Sequence, residues 1–115
     1  MGYYTRFDFE VRTPVTRERA EQITNRLNAI IDCGDCFELA DSEDTTLTTW
    51  YLEPYDEMKW YDWRKDMSQL ANEFSDVEFR LEGHGEEKDD WWVALFKGKR
   101  EQIKYCSPPS DEWED

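Results

Sequence analysis

The chain has 115 residues, with 28 acidic against 14 basic side chains, for a formal net charge of −14 at pH 7. That length suits one domain with one core, burying roughly two thirds of its unfolded surface, and leaves no room for a second. A surface this negative repels phosphate backbones and anionic lipid heads, so direct nucleic-acid binding and membrane binding are both disfavoured. Six Trp, six Tyr and six Phe supply enough apolar area for a core despite a mean hydropathy of −0.98. Disorder of the whole chain is excluded on that ground.

In chain order, Tyr3, Thr5, Phe7, Phe9 and Val11 alternate with Tyr4, Arg6, Asp8 and Glu10, the period of a strand with one buried face. Thr13-Pro14 is read as the break after it. Ala20, Ile23, Leu27, Ile30 and Ile31 then recur at helical spacing, predicting a helix over about 16–32 with Thr16 as N-cap and Gly34 just past its end. The stretch from Cys36 to Pro54, with a polar turn and a Thr-rich run carrying Leu47, Trp50 and Leu52, predicts a hairpin. Trp63, Met67, Leu70, Ala71 and Phe74 form one helical stripe over about 62–74, with Asp62 placed to cap it.

Val77, Phe79 and Leu81 alternate with Glu78, Arg80 and Glu82, and are followed by an acidic loop, by WWVALF, and by REQIKYC. Gly98 can supply the positive φ of a tight turn between the last two strands. On the WWVALF strand, Trp91, Val93 and Leu95 point one way and Trp92, Ala94 and Phe96 the other, so both faces are apolar. The loop reading holds Gly83 and Gly85 in the connection, leaves His84 without a role, and anchors Trp91 in the core.

The element order is β-α-β-β-α-β-β-β. It predicts an α+β fold with two helices packed on one face of an antiparallel sheet: a ferredoxin-like β-α-β-β-α-β arrangement with an added C-terminal strand. Residues 1–106 form a single domain, and 107–115 an acidic, Pro-containing tail. No apolar run is long enough for a membrane span and no signal-peptide core precedes the first strand. The expected location is the host-cell cytosol, with Cys33, Cys36 and Cys106 as reduced thiols.

Candidate chemistry is sparse. Cys33 and Cys36 have the spacing of a redox pair or half a zinc site, but they follow a helix C-terminus, where the dipole raises a thiol pKa. Zinc would need His84 and Cys106 as the remaining ligands, which lack any paired spacing. One His without a nucleophile signature argues against covalent catalysis, and Glu86, Glu87, Asp89 and Asp90 match no calcium-loop template. The expectation is a protein that is not an enzyme and takes no cofactor; the alternative is a zinc-stabilised domain or a metal-dependent small enzyme.

The charge distribution is the sharper signal. No Lys or Arg occurs between Arg26 and Lys59, an interval holding Asp32, Asp35, Glu38, Asp41, Glu43, Asp44, Glu53, Asp56 and Glu57. With Glu86 and Glu87, these are the candidate partner-binding residues, since such a field attracts a basic groove. The expected partner is a basic nucleic-acid-binding protein of a host, such as a nuclease, a CRISPR effector or a polymerase. Self-association as a homodimer is a further expectation, from the two-faced apolar strand.

Trp60, Tyr61, Asp66 and Met67, then Phe79, Leu81, Gly83, Gly85, Glu86 and Glu87, then Asp90, Trp91 and Phe96, with Gly98 and Lys99, make a pattern that resembles a group of small proteins encoded by phages and prophages. The resemblance covers residues 58–102 and the opening MGYYTRF, and departs at Trp63 and Asp76. It implies a phage accessory protein, an anti-defence or host-takeover inhibitor of the DNA-mimic or anti-CRISPR-like kind, and brings no catalytic residues.

Overall fold

A computed structural model describes residues 5–32, 36–40, 48–54, 60–85, 91–105 and 113. The elements run β1 (Arg6–Val15), α1 (Arg17–Ile31), β2 (Phe37–Leu39), β3 (Thr48–Pro54), α2 (Trp63–Glu73), β4 (Glu78–His84), β5 (Trp91–Lys97) and β6 (Arg100–Tyr105). The strands form one sheet in the order β2-β3-β1-β4-β5-β6, and every neighbouring pair is antiparallel. The α+β class with two helices and an antiparallel sheet is as expected. The strand order is not that of a compact ferredoxin-like sheet with one added strand, because both β5 and β6 continue the sheet beyond β4.

One face of the sheet carries the core. Phe7, Phe9 and Val11 of β1, Phe79 and Leu81 of β4, and Trp92, Ala94 and Phe96 of β5 pack with Ala20, Ile23 and Leu27 of α1 and Met67, Leu70 and Ala71 of α2 in one cluster. Each helix presents a single apolar stripe, so the sheet is the surface that can bury both at once.

Local chemistry sets the element ends. Thr16 caps α1 by accepting from the Arg19 amide at 3.3 Å, while the stop is Asp32, in the left-handed region at φ 59°; Gly34 lies outside the described residues. Asp62 occupies the N-cap position of α2 without a side-chain capping bond; nearby, Asp66 accepts from Trp60 Nε1 at 2.8 Å. Thr13-Pro14 does not end β1. The register shifts between Val11 and Val15, which takes up a proline that cannot donate to the ladder, and Thr13 Oγ1 accepts from the Glu78 amide at 2.8 Å.

The β2 edge is sealed from within. Asn28 of α1, 8% exposed, donates Nδ2 to the Phe37 carbonyl at 2.9 Å and accepts from the Phe37 amide at 3.0 Å. One amide side chain thus plays the part of a neighbouring strand for this residue. Ion pairs tie the helices to the rest: Arg19 to Asp76 at 2.6 Å, Arg26 to Glu73 at 2.6 Å, and Arg64 to Glu101 at 2.6 Å. Gly98, at φ 58°, turns the β5–β6 hairpin, whose last pair is Lys97 with Arg100.

The strand before the acidic loop runs further than the sequence pattern suggests. Gly83 and His84 belong to β4, opposite Trp92 and Trp91. The core tryptophan is Trp92, 4% exposed, its ring stacked on Trp63 with centroids 4.0 Å apart. Trp91 is half-buried on the other face, because the alternation of β5 puts it there with Val93 and Leu95. Among the described residues, no helix is long and apolar enough to cross a membrane.

Candidate functional site

The second face of the sheet lacks the helices and carries the polar half of each alternating strand. Its charges form rows set by register. Asp8 lies opposite Glu82, Glu38 lies opposite Glu53, and the Phe9–Leu52 pairing brings Glu53 alongside Asp8. Four adjacent strands, β2, β3, β1 and β4, therefore place Glu38, Glu53, Asp8 and Glu82 in one row. At the usual interstrand spacing the row spans about 14 Å. Glu38, Glu53 and Asp8 are exposed, and none has an ion pair among the described residues. Tyr51, 57% exposed, stands beside the row, opposite Glu10.

Glu82 ends the row differently. Its side chain is 16% exposed and pairs with Arg80, its Oε2 also contacts His84 Nε2, and Trp91 Nε1 donates to that same oxygen at 3.0 Å. The His84 ring stacks on Trp91 with centroids 5.0 Å apart. Burial pushes the Glu82 carboxyl up, but the hydrogen bonds from Arg80, His84 and Trp91 and the Arg80 charge outweigh it and hold the group below its ordinary value. Asp8, Glu82 and His84 have ligating atoms within 4.8 Å of one another, and are the group that could hold a cation among the described residues. Such an ion would have to replace the His84–Glu82 contact and share Glu82 with Arg80.

Of the residues the sequence pointed to, Glu38 and Glu53 come together as a cross-strand pair, and Asp32 sits apart at the C-cap of α1, exposed. Asp35, Asp41, Glu43, Asp44, Asp56, Glu57, Glu86 and Glu87 lie outside the described residues. Asp8 and Glu82 were missed as site residues. Their signal was present, since both occupy polar positions of alternating strands, but only the register puts them in line with Glu38 and Glu53.

Of the candidate zinc ligands Cys33, Cys36, Cys106 and His84, Cys36 is already engaged. Cys36 is disulfide-bonded, not a reduced thiol as expected, and a bonded sulfur offers no thiolate to zinc. It also precedes β2, three strand steps from β4, about 14 Å from the strand carrying His84. Cys33 and Cys106 lie outside the described residues. The cysteine count therefore gives no argument for a reducing compartment.

Comparison with protein-family models, curated proteins and solved structures finds no match to this chain.

Proposed function

We propose that this chain is a non-catalytic binding protein whose helix-free sheet face enters a basic nucleic-acid-binding groove of another protein and keeps nucleic acid out of it. The observation that carries this reading is the row Glu38, Glu53, Asp8 and Glu82 on four adjacent strands. Like charges directly opposite on a ladder destabilise a sheet, and three of the four have no neutralising partner among the described residues. A cationic groove would offset that repulsion and gain affinity and association rate from it. The exposed Tyr51 beside the row adds the kind of aromatic contact enriched in interfaces. The resemblance to phage-encoded proteins favours a host nuclease, CRISPR effector or RNA polymerase as the partner, with inhibition as the outcome.

The test is to mix the purified chain with candidate enzymes of these three classes and follow their nucleic-acid binding at rising salt. Displacement of nucleic acid that weakens with salt, and that is lost in a Glu38→Gln, Glu53→Gln, Asp8→Asn variant, supports the reading. A chain that retains no basic partner on a column, or a triple variant that competes as well as the wild type, refutes it.

A second reading, a metal-dependent protein, draws on the approach of Asp8, Glu82 and His84. Arg80 already supplies the positive charge that Glu82 needs, which weighs toward the first reading. Elemental analysis of the purified protein, with melting measured before and after chelator, separates the two.

A further inference from the structure

The helix-free face has a second chemical character at its other end. Arg12 pairs with Glu78 at 3.3 Å, Glu78 lies opposite Lys97, and Lys97 lies opposite Arg100. Three basic residues thus share one end of the ladder with one carboxylate, in a chain that has twice as many acids as bases. Trp113, far along the C-terminal segment, is seated here: its Nε1 donates to Glu78 Oε1 at 2.8 Å, and the Arg100 guanidinium carbon stands 4.2 Å from the ring centroid. On the same face Val93 and Leu95 are 2% and 0% exposed, although both helices pack on the other side and neither residue belongs to the main core cluster.

We propose that this corner is a peptide-binding site for an acidic segment bearing a tryptophan, and that the chain's own C-terminal segment is its resident ligand, held in cis as a latch. Trp113 is flanked in sequence by Asp111, Glu112, Glu114 and Asp115, so the peptide that carries it is opposite in sign to the basic end of the ladder. A guanidinium over an indole and one hydrogen bond to a carboxylate are individually modest contacts. Residues 106–112 tether Trp113 to β6, and a short tether gives an effective concentration on the order of millimolar. Weak contacts thus suffice to keep the corner occupied while leaving it open to exchange. It lies at the other end of the sheet from Glu38 and Glu53.

The experiment uses the full chain and, as probe, a fluorescein-labelled peptide with the sequence of residues 107–115. Trp113→Ala vacates the corner and is expected to bind the peptide saturably, about tenfold more tightly than the wild type; adding Arg100→Gln to it should weaken binding about tenfold, the loss of one cation–π contact with its charge. High salt should weaken it further. No saturable binding to Trp113→Ala, binding equal to that of the wild type, or binding indifferent to Arg100 overturns the proposal. Fluorine NMR of the chain labelled with 5-fluorotryptophan decides the matter even if Trp113→Ala does not fold. In Arg100→Gln alone, the Trp113 signal, assigned with Trp113→Phe, should move about halfway toward its position in the isolated peptide while the other five stay. A Trp113 signal unmoved by Arg100→Gln, or movement of all six, overturns the latch.

Discussion

The indole of Trp92 covers the backbone of Gly83, its opposite number across β4 and β5, so closely that a β-carbon on Gly83 would lie 2.2 Å from Trp92 Cζ2. Glycine is required at this point by the neighbouring ring, on a strand and not in a turn. Gly83→Ala should therefore cost about 2 kcal/mol or more by overpacking, and Trp92→Ala about 3–5 kcal/mol by cavity formation. Trp91→Ala should cost only about 1–2 kcal/mol, from its hydrogen bond to Glu82. Urea denaturation of the three variants checks the order; Trp91→Ala proving the most damaging would contradict it.

Glu82 holds three donors, from Arg80, His84 and Trp91, and is the centre of the polar cluster on the helix-free face. Glu82→Gln removes the charge that balances Arg80, whose side chain is 15% exposed, and should destabilise by about 1–3 kcal/mol. His84→Ala leaves Arg80 and Trp91 in place on Glu82 and should cost about 1 kcal/mol or less. Melting temperatures of the two variants compared with wild type decide this. A His84 variant as unstable as the Glu82 variant would show that the imidazole, not the carboxylate, is the hub.

Asn28 closes the β2 edge through both amide atoms. Asn28→Ala leaves the Phe37 amide and carbonyl without that partner and opens a small void, at a cost of about 2–3 kcal/mol. Asn28→Asp keeps the acceptor but sets a carboxylate oxygen against the Phe37 carbonyl in a buried place, so at neutral pH it should cost at least as much as Ala. Hydrogen exchange at the Phe37 amide should accelerate in Asn28→Ala far more than at β1 and β4 amides. Uniform acceleration would mean that the edge has no local stability of its own.

Acid should weaken the fold. Hydrogen bonds from Arg26, Arg19 and Arg64 hold Glu73, Asp76 and Glu101 below the ordinary carboxylate range, and Glu82 is lowered despite its burial. Each has a folded pKa below its unfolded one. The stability these groups contribute is complete above the unfolded value, about 4, and is lost as pH falls through the folded values. The urea midpoint should drop steadily between about pH 4 and the lower end of that range. Three of the four pairs are exposed, so high salt should flatten the dependence. A midpoint that rises on acidification over this range would reverse the sign of the argument.

Glu38 and Glu53 face each other on β2 and β3 as like charges. Glu53→Gln should stabilise the isolated chain by about 0.2–1 kcal/mol while weakening capture of a basic partner. Thermal melting and retention on a column of that partner read the two effects separately. A variant that loses stability, or binds the partner more tightly, would remove the reason for regarding the row as retained for binding.

What lay open in the sequence was everything carried by neighbours along the chain. The alternation in Phe7, Phe9 and Val11, the helical stripes of Ala20, Ile23 and Leu27 and of Met67, Leu70 and Ala71, the Thr16 cap and the Gly98 turn are short-range patterns. Their physics is local, so they read correctly in order. Pro14 misled because a shift in register let β1 run through it. Whether Trp91 or Trp92 enters the core could not be read from β5, where both faces are apolar; it was decided by the space above Gly83, a residue from another strand. The acidic row depends on pairings between strands distant in sequence. Asp8 and Glu82 are 74 positions apart and adjacent in space, and only the ladder, with its fixed spacing and register, turns scattered carboxylates into a line. The return of Trp113 onto Glu78 and Arg100 is of the same kind, a contact between a tail and a surface that does not exist until the sheet has formed.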